Sequence, residues 1–252
     1  MLELTSDLVA ALIGAGFAAG FVDAIAGGGG LITLPALLLA GASPLEALST
    51  NKVQGTFGAA TAAVAYARAG HVNLRGQIGA AVLAFGCGAA GAALAGLVPT
   101  GWLRLVLPVI LIGIAAFFAL KPGLSDDDSA ARLRPATFTA FVVPLIAGYD
   151  GLIGPGAGSF YMIGFVALAG YGVLKATAHT KLLNFASNLG GLLTFALYGA
   201  PWWAVGLAMG AAQIAGARLG AHFAMRIGAR MIKPLLVITS TALALRLIWQ
   251  ML

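Results

Sequence analysis

The stretch "GFVDAIAGGGGLITLP", residues 20–35, sets four consecutive glycines inside an apolar segment, just after its only acid, Asp23. Each glycine costs about 1 kcal/mol against alanine in a helix interior, so the run breaks whatever helix leads into it. A related pattern, "GYDGLIGPGAG" at residues 148–158, places Asp150 four residues before Gly154, as Asp23 stands four before Gly27. The fold must explain why an apolar chain breaks twice beside an acid.

Composition narrows the setting. The 252 residues are 60% hydrophobic and 9% charged, with a mean hydropathy of +0.98, whereas soluble domains carry about 25% charged residues. So few charges cannot cover a soluble surface, and the chain is an integral membrane protein. Its apolar runs of roughly 20 residues suit an all-α, polytopic bundle rather than the alternating strands of a barrel. The 36 glycines suit close helix packing in lipid. The net charge of +6 lies mostly in short loops, where it orients membrane segments, and does not indicate nucleic acid. Cys87 in "FGCGAAG" reads as a small packing residue; no cysteine–histidine metal spacing exists, and no metal or cofactor is expected. "MLELTSD" lacks the basic region of a signal peptide, so residues 8–26 read as mature structure.

Ten apolar pieces follow one another, near 8–26, 31–42, 45–67, 77–97, 102–120, 135–149, 158–171, 174–198, 202–222 and 233–250. The second and seventh are too short to cross upright, since a span needs about 20 residues. The polar linker "KPGLSDDDSAARLRP" divides the chain at its middle, and its "DDD" (126–128) reads as solvated. The halves resemble each other: Asp23 pairs with Asp150, Lys52 of "STNK" with Lys181 of "AHTK", and Arg104 with Lys233, at offsets of 127, 129 and 129. Common order and spacing point to a duplication. The expected division is a first repeat over 1–121, a cytoplasmic linker over 122–134 and a second repeat over 135–252.

Loop charge then orients the chain. Arg68 and Arg75, Lys121 with Arg132 and Arg134, and Arg226, Arg230 and Lys233 mark three cytoplasmic loops, while the uncharged loops near 98–101 and 198–203 fall outside. Loop 68–76 is inside and its repeat partner outside, so the halves are inverted, as in many secondary transporters. Inversion requires an odd number of crossings per half. Either a re-entrant hairpin followed by three crossings, or tilted crossings in its place, satisfies that parity, and both leave the two termini outside.

Unpaired backbone at membrane depth persists only where it is buried in protein or lines a wet cavity. A helix entering at Pro44 carries Asn51 and Lys52 about 10–12 Å deep, and one entering at Gly172 from the other face carries Lys181 to roughly 13 Å. These depths bring both lysines and both glycine turns towards the midplane. Each turn precedes a short apolar helix, whose N-terminus offers unpaired N–H groups and about half a positive charge. Two such ends facing each other form an anion site. The substrate-binding candidates are therefore Lys52, Lys181, Asn51, Asn184, His179, Gly28, Gly29, Gly30, Gly156 and Gly158. Thr50, Thr180 and Asn188 share the same segments. A midplane lysine is costly, so its alternative to anion contact is pairing with Asp23 or Asp150. Those acids could carry a coupling proton, cap a broken helix or neutralise a lysine. His71 and His222 read as interfacial, and Trp102, Trp202, Trp203 and Trp249 as a belt at helix ends.

"GFVDAIAGGGGLITLPALL", "ALSTNKVQ", "GYDGLIGPGAGSFY" and "KATAHTKLLNFASNLGGLL" together resemble the signatures of the TauE/SafE sulfite exporter family, most nearly its YfcA-like branch, over essentially the whole chain. The resemblance implies a bacterial inner-membrane transporter that exports sulfite or small organosulfur anions. The partners implied are a small anion and the bilayer, with room for a homodimer. A channel for the same anions is the main alternative. An intramembrane aspartyl protease shares "YD" (149–150) but its Gly-x-Gly-Asp motif is absent, and "GPGAGS" lacks the Gly-Lys-Ser/Thr of a phosphate loop.

The inverted topology has a direct test. Reporter fusions after Lys121 and after Met225 are expected to read cytoplasmic, and a fusion after Leu252 external; an internal C-terminus would remove the inversion.

Overall fold

The computed structural model describes residues 5–97, 125–198 and 201–228, with isolated positions between 109 and 120 and between 230 and 241. Most of the fifth and last apolar pieces, with Trp102, Arg104, Lys121, Lys233 and Trp249, lie outside the described residues. Every regular element among those described is helical. The first half supplies α1 (Ser6–Ala26), α2 (Gly29–Leu39), α3 (Pro44–Arg68) and α4 (Ile78–Leu94). The second supplies α5 (Val143–Leu152), α6 (Ala157–Ala167), α7 (Val173–Tyr198) and α8 (Trp203–Ile227). A helical turn at Pro135–Thr137 and a π-helical turn at Phe138–Val142 lead into α5.

Local chemistry sets these boundaries. The Thr5 hydroxyl accepts a hydrogen bond from the Leu8 N–H and starts α1, and Gly27, at φ 77°, ends it with its N–H on the Asp23 carbonyl. Ser43, Pro44 and Glu46 open α3 as a capping box with proline in the first turn. The acidic linker is not merely solvated, as its composition suggested. Asp126 Oδ1 accepts from the Leu174 N–H (3.0 Å), and Asp128 accepts from the Gly172 N–H (2.9 Å) and from Lys175 (2.5 Å). The acids thus sit on the positive end of α7, and the hydrogen bond from Lys175, then that from Gly172, holds the Asp128 carboxyl below its usual range.

Polarity is distributed inside out. Leu39, Val82, Leu97, Phe141, Leu145 and Leu197 are 66–86% exposed, whereas Asn51, Lys52, Gln54, Asp150, Lys181, Asn184, Asn188 and Gln213 are all buried. That is the arrangement a hydrocarbon solvent selects. Among the described residues, α1 and the stretch 75–97 are both long and apolar enough to cross a bilayer. Helices α3, α7 and α8, of 25, 26 and 25 residues, are long enough at about 38 Å, but they carry the buried polar groups.

Packing crosses between the halves. Helix α1 lies along α8 and α5 along α4; α3 packs on α8 and α7 on α4; α3 and α7 meet each other. Exchanging the halves maps every one of these pairs onto another or onto itself. Small residues permit the approach: a Cβ on Gly16 or Gly20 would strike the backbone of Met209 or Gln213, and one on Gly151 or Gly91 would strike the facing backbone of α4 or α5.

The breaks are hairpins. Helix α2 turns back on α1, so that a Cβ on Gly29 would touch Ala19 and Asp23. The two turns also meet back to back, since a Cβ on Gly27 would overlap the backbone of Gly158, and one on Gly158 that of Gly27. The Ser159 hydroxyl fastens the contact by donating to the Ala26 carbonyl at 2.8 Å. Not every glycine of the run is required. Gly28 has φ −115°, and an added Cβ meets only Leu31 Cδ1 at 3.4 Å. Gly27→Val is therefore expected to destabilise the protein by at least about 2 kcal/mol through left-handed strain and overlap. Gly28→Ala should stay within about 0.5 kcal/mol, as melting of the detergent-purified variants would measure.

Candidate substrate site

Each broken hairpin has two electrically different ends. The helix arriving at the break, α1 or α5, presents the negative end of its dipole, and the short helix leaving it, α2 or α6, presents a positive one. The structure treats the two ends differently. Lys52 on α3 donates to the Asp150 carbonyl at 2.5 Å and to its Oδ1 at 2.6 Å, with both side chains almost fully buried. Lys181 on α7 donates to the Asp23 carbonyl and lies 3.6 Å from Asp23 Oδ2. Each lysine thus comes from one half and covers the negative helix end of the other.

The positive ends face a common space. A cavity of about 30 Å³ is lined by Gly27, Gly29 and Gly30 of the first break and by Gly154, Gly156 and Gly158 of the second. Asp23, Asp150, Asn51, Gly55, Asn184, Asn188 and Gln213 complete its wall. Its volume exceeds the roughly 10–15 Å³ that one water needs, so it suits a solute of a few heavy atoms. Two lysines and two aspartates cancel in charge, which leaves the helix ends and the amides to decide what enters.

Two amides are preset as donors. Asn51 Oδ1 accepts from the Thr33 hydroxyl (2.6 Å) and from Gln54 Nε2 (2.9 Å), while its Nδ2 has no partner among the described residues. Asn184 Oδ1 accepts from Asn188 Nδ2 at 2.9 Å, and again the Nδ2 has no described partner. Oxygens held in internal bonds leave N–H groups for a ligand that accepts.

The two aspartates are not equivalent. Asp150, 2% exposed, accepts from Lys52, from the Ser187 hydroxyl and from Asn188 Nδ2. Among the described residues, Asp23 Oδ1 accepts only from the Gly29 N–H at 3.2 Å, its Lys181 pair is longer, and its side chain is 13% exposed. Asp23 therefore both caps α2 and faces a lysine, two of the roles open to it in the sequence.

Three expectations need relocation. Lys52 and Lys181 stand behind the wall rather than on it, because the aspartates hold their ammonium groups. Gly28 stands outside the cavity lining, as the N-cap of α2 with its φ negative. His179 lies one and a half turns from Asn184 and points elsewhere. Its Nδ1 bonds the Lys175 carbonyl (2.9 Å), its ring packs on Phe165 and Tyr171, and it lines a separate 380 Å³ cavity beside the linker. Asn51, Asn184, Gly29, Gly30, Gly156 and Gly158 line one cavity.

The profile of the sulfite exporter TauE/SafE family matches residues 12–247. The chain belongs to that family. It is 54% identical over 248 residues to the probable membrane transporter protein ORF9 of a Sinorhizobium species, covering 98% of this chain and 95% of that protein. It is 42% identical to the probable membrane transporter protein YfcA of Escherichia coli K12, over 92% and 86% of the two chains. A probable membrane transporter protein of Haemophilus influenzae is 40% identical over 98% and 97%. No solved structure matches the chain. This TauE/SafE member is accordingly a membrane transporter, and the site described above is its candidate substrate site.

Gln213 escaped the sequence reading. The signal was present: it is a lone carboxamide in the apolar run "GLAMGAAQIAGARLGA", and polar residues within membrane segments are seldom idle.

The unequal pairs predict unequal costs. Asp150→Ala strands Lys52 in a sealed environment and is expected to cost about 3–5 kcal/mol. The double variant Asp150→Ala with Lys52→Met should recover most of that loss. Asp23→Ala should cost less, because water in the cavity can solvate the released ammonium; thermal melting of the four proteins decides the order.

Proposed function

We propose that this transporter is a secondary carrier that exports small sulfur-containing oxyanions, sulfite or organosulfonates, across the bacterial inner membrane. The observation that supports the reading is the electrical sorting at the two breaks. Lysines cover the negative helix ends, and the positive ends, that of α2 shared with the Asp23 carboxylate, face one cavity together with two amide N–H₂ groups. A sulfur oxyanion presents only acceptor oxygens to such donors and carries the charge that helix N-termini favour. The family match names a sulfite exporter, which agrees with this donor set. A seat shared by two hairpins of opposite halves also suits alternating access, in which one bundle rocks against the other around a central site. With both termini external and the halves inverted, each hairpin would enter from its own face of the membrane.

Direction follows from the membrane potential. In a cell held negative inside, one anionic charge leaving gains roughly 2.3 kcal/mol per 100 mV, so export needs no ion gradient. The lysines serve this mechanism indirectly. Without either one, an uncompensated aspartate would stand beside the anion path and repel it.

Proteoliposome flux under potassium–valinomycin clamps tests the proposal, with sulfite, thiosulfate, sulfoacetate and sulfate run in parallel. Saturable flux of at least one sulfur oxyanion, accelerated outward by an inside-negative potential, is expected. Lys52→Met and Lys181→Met should each lower it by about tenfold or more, the equivalent of about 1.4 kcal/mol in the barrier. Unitary currents would instead identify a channel, and flux indifferent to potential would reject uniport.

A further inference from the structure

Thr33 carries the only polar side chain of α2, and it is fully buried. A hydroxyl inside protein must find a partner. Its Oγ1 lies 2.6 Å from Asn51 Oδ1 on α3 and 3.3 Å from the Gly29 carbonyl one turn back. The shorter contact identifies the atom that faces it, because 2.6 Å fits an O–H···O bond and is too short for an N–H···O bond. The hydroxyl therefore donates to the amide oxygen of Asn51, and the contact with Gly29 is the weaker alternative.

Gln54, next along the same face of α3, does not fix that amide by itself. Its Nε2 donates to Asn51 Oδ1 at 2.9 Å, but its own Oε1 is sealed in protein without a partner. If both amides turned over, Asn51 Nδ2 would donate to that Oε1, and Asn51 Oδ1 would take the place of the N–H₂ group on the cavity side. Thr33 opposes the exchange. Its proton would fall back on the Gly29 carbonyl, and an N–H₂ group would stand too close to its oxygen. The outcome matters at the wall: Asn51 lines the cavity and keeps 5% exposure, and its Nδ2 sits beside Gly30, where an added Cβ would meet it at 3.3 Å. That Nδ2 has no described partner and, unlike Gln54 Oε1, is not sealed. Asn184 needs no such help, since Asn188 on its own helix holds its oxygen.

We propose that Thr33 is a positioning residue for substrate recognition: its hydroxyl holds the Asn51 amide with the N–H₂ group in the cavity, so that the wall meets an anion with a donor instead of a carbonyl oxygen. This rests on the anion-carrier reading and goes further, to a residue that does not itself touch the substrate. An oxyanion that only accepts hydrogen bonds is held by one orientation of the amide and repelled by the other. A single buried proton thus sets the sign of this part of the wall. Helix α2 serves the site twice, since its first turn faces the cavity and its Thr33, one turn on, orients the amide that stands beside Gly30.

A double-mutant cycle tests the assignment. Titration calorimetry of the purified protein uses sulfite, thiosulfate, sulfoacetate and sulfate as probes, and the cycle is read with whichever binds wild type most tightly. Thr33→Val, which keeps the shape and removes the hydroxyl, should weaken that probe about tenfold, the worth of one hydrogen bond. Thr33→Ser, which restores the donor, should bind within about twofold of wild type. In the Asn51→Ala background, Thr33→Val should weaken binding no further, because no amide remains to be turned. A merely structural role for Thr33 would move the affinity equally in both backgrounds. Thr33→Ala supplies the same arm if valine at this position prevents folding. Unchanged affinity in Thr33→Val, an equal loss in the Asn51→Ala background, or no rescue by serine would each overturn the assignment. Wild-type protein that binds none of the four probes would overturn the oxyanion reading itself, whereas binding that ignores Thr33 overturns the assignment alone, so the two failures are distinguishable.

Discussion

The structure depends on how the negative ends of two broken helices are neutralised inside a membrane protein. A helix that stops inside a membrane protein exposes carbonyl dipoles where little water reaches them. Here each such end carries an aspartate one turn before its break, and each receives a buried lysine from the other half. Neither half can complete its own hairpin. The exchange of lysines, the crossed packing of α1 on α8 and α5 on α4, and the contact between Gly27 and Gly158 express the same mutual dependence.

Sorting the dipoles gives the site its character. With the negative ends covered, the first turns of α2 and α6 dominate the cavity, joined by amides whose oxygens are already engaged. A lysine on the wall would bind an anion more tightly, yet it would also hold the anion in place. A wall of backbone and amide donors, its aspartates paired with lysines behind it, supports binding that is selective and reversible, as transport requires.

Near-symmetry and its departures have different roles. The lysine–aspartate pairs recur in both halves because both breaks pose the same electrostatic problem. The groups around them do not recur. Ser187 and Asn188 seal Asp150, whereas Asp23 keeps a partly exposed side chain with a longer lysine pair. A frame with matching pairs in both halves can hold the fold while one side of the site differs from the other.

Much of this was legible in the amino-acid sequence. Low charge and long apolar runs determined a helical membrane protein, because few charges cannot cover a soluble surface. The glycine runs determined the two breaks, the repeated Asp, Lys and Gly positions pointed to a duplication, and the shared motifs revealed the family. What tertiary structure decided was which group faces which. Spacing along the helices singled out Lys52 and Lys181, but only packing showed that Asp150 and Asp23 take them up. His179 and Lys181 are two residues apart, yet a helix turns 100° per residue, and the histidine faces another cavity. Gln213 belongs to the site because Gly20 and Gly58, far from it in sequence, leave its side chain a slot. Sequence spacing carries periodicity and charge, whereas the identity of a buried partner depends on which helices are neighbours, and that is settled only when the two halves close on each other.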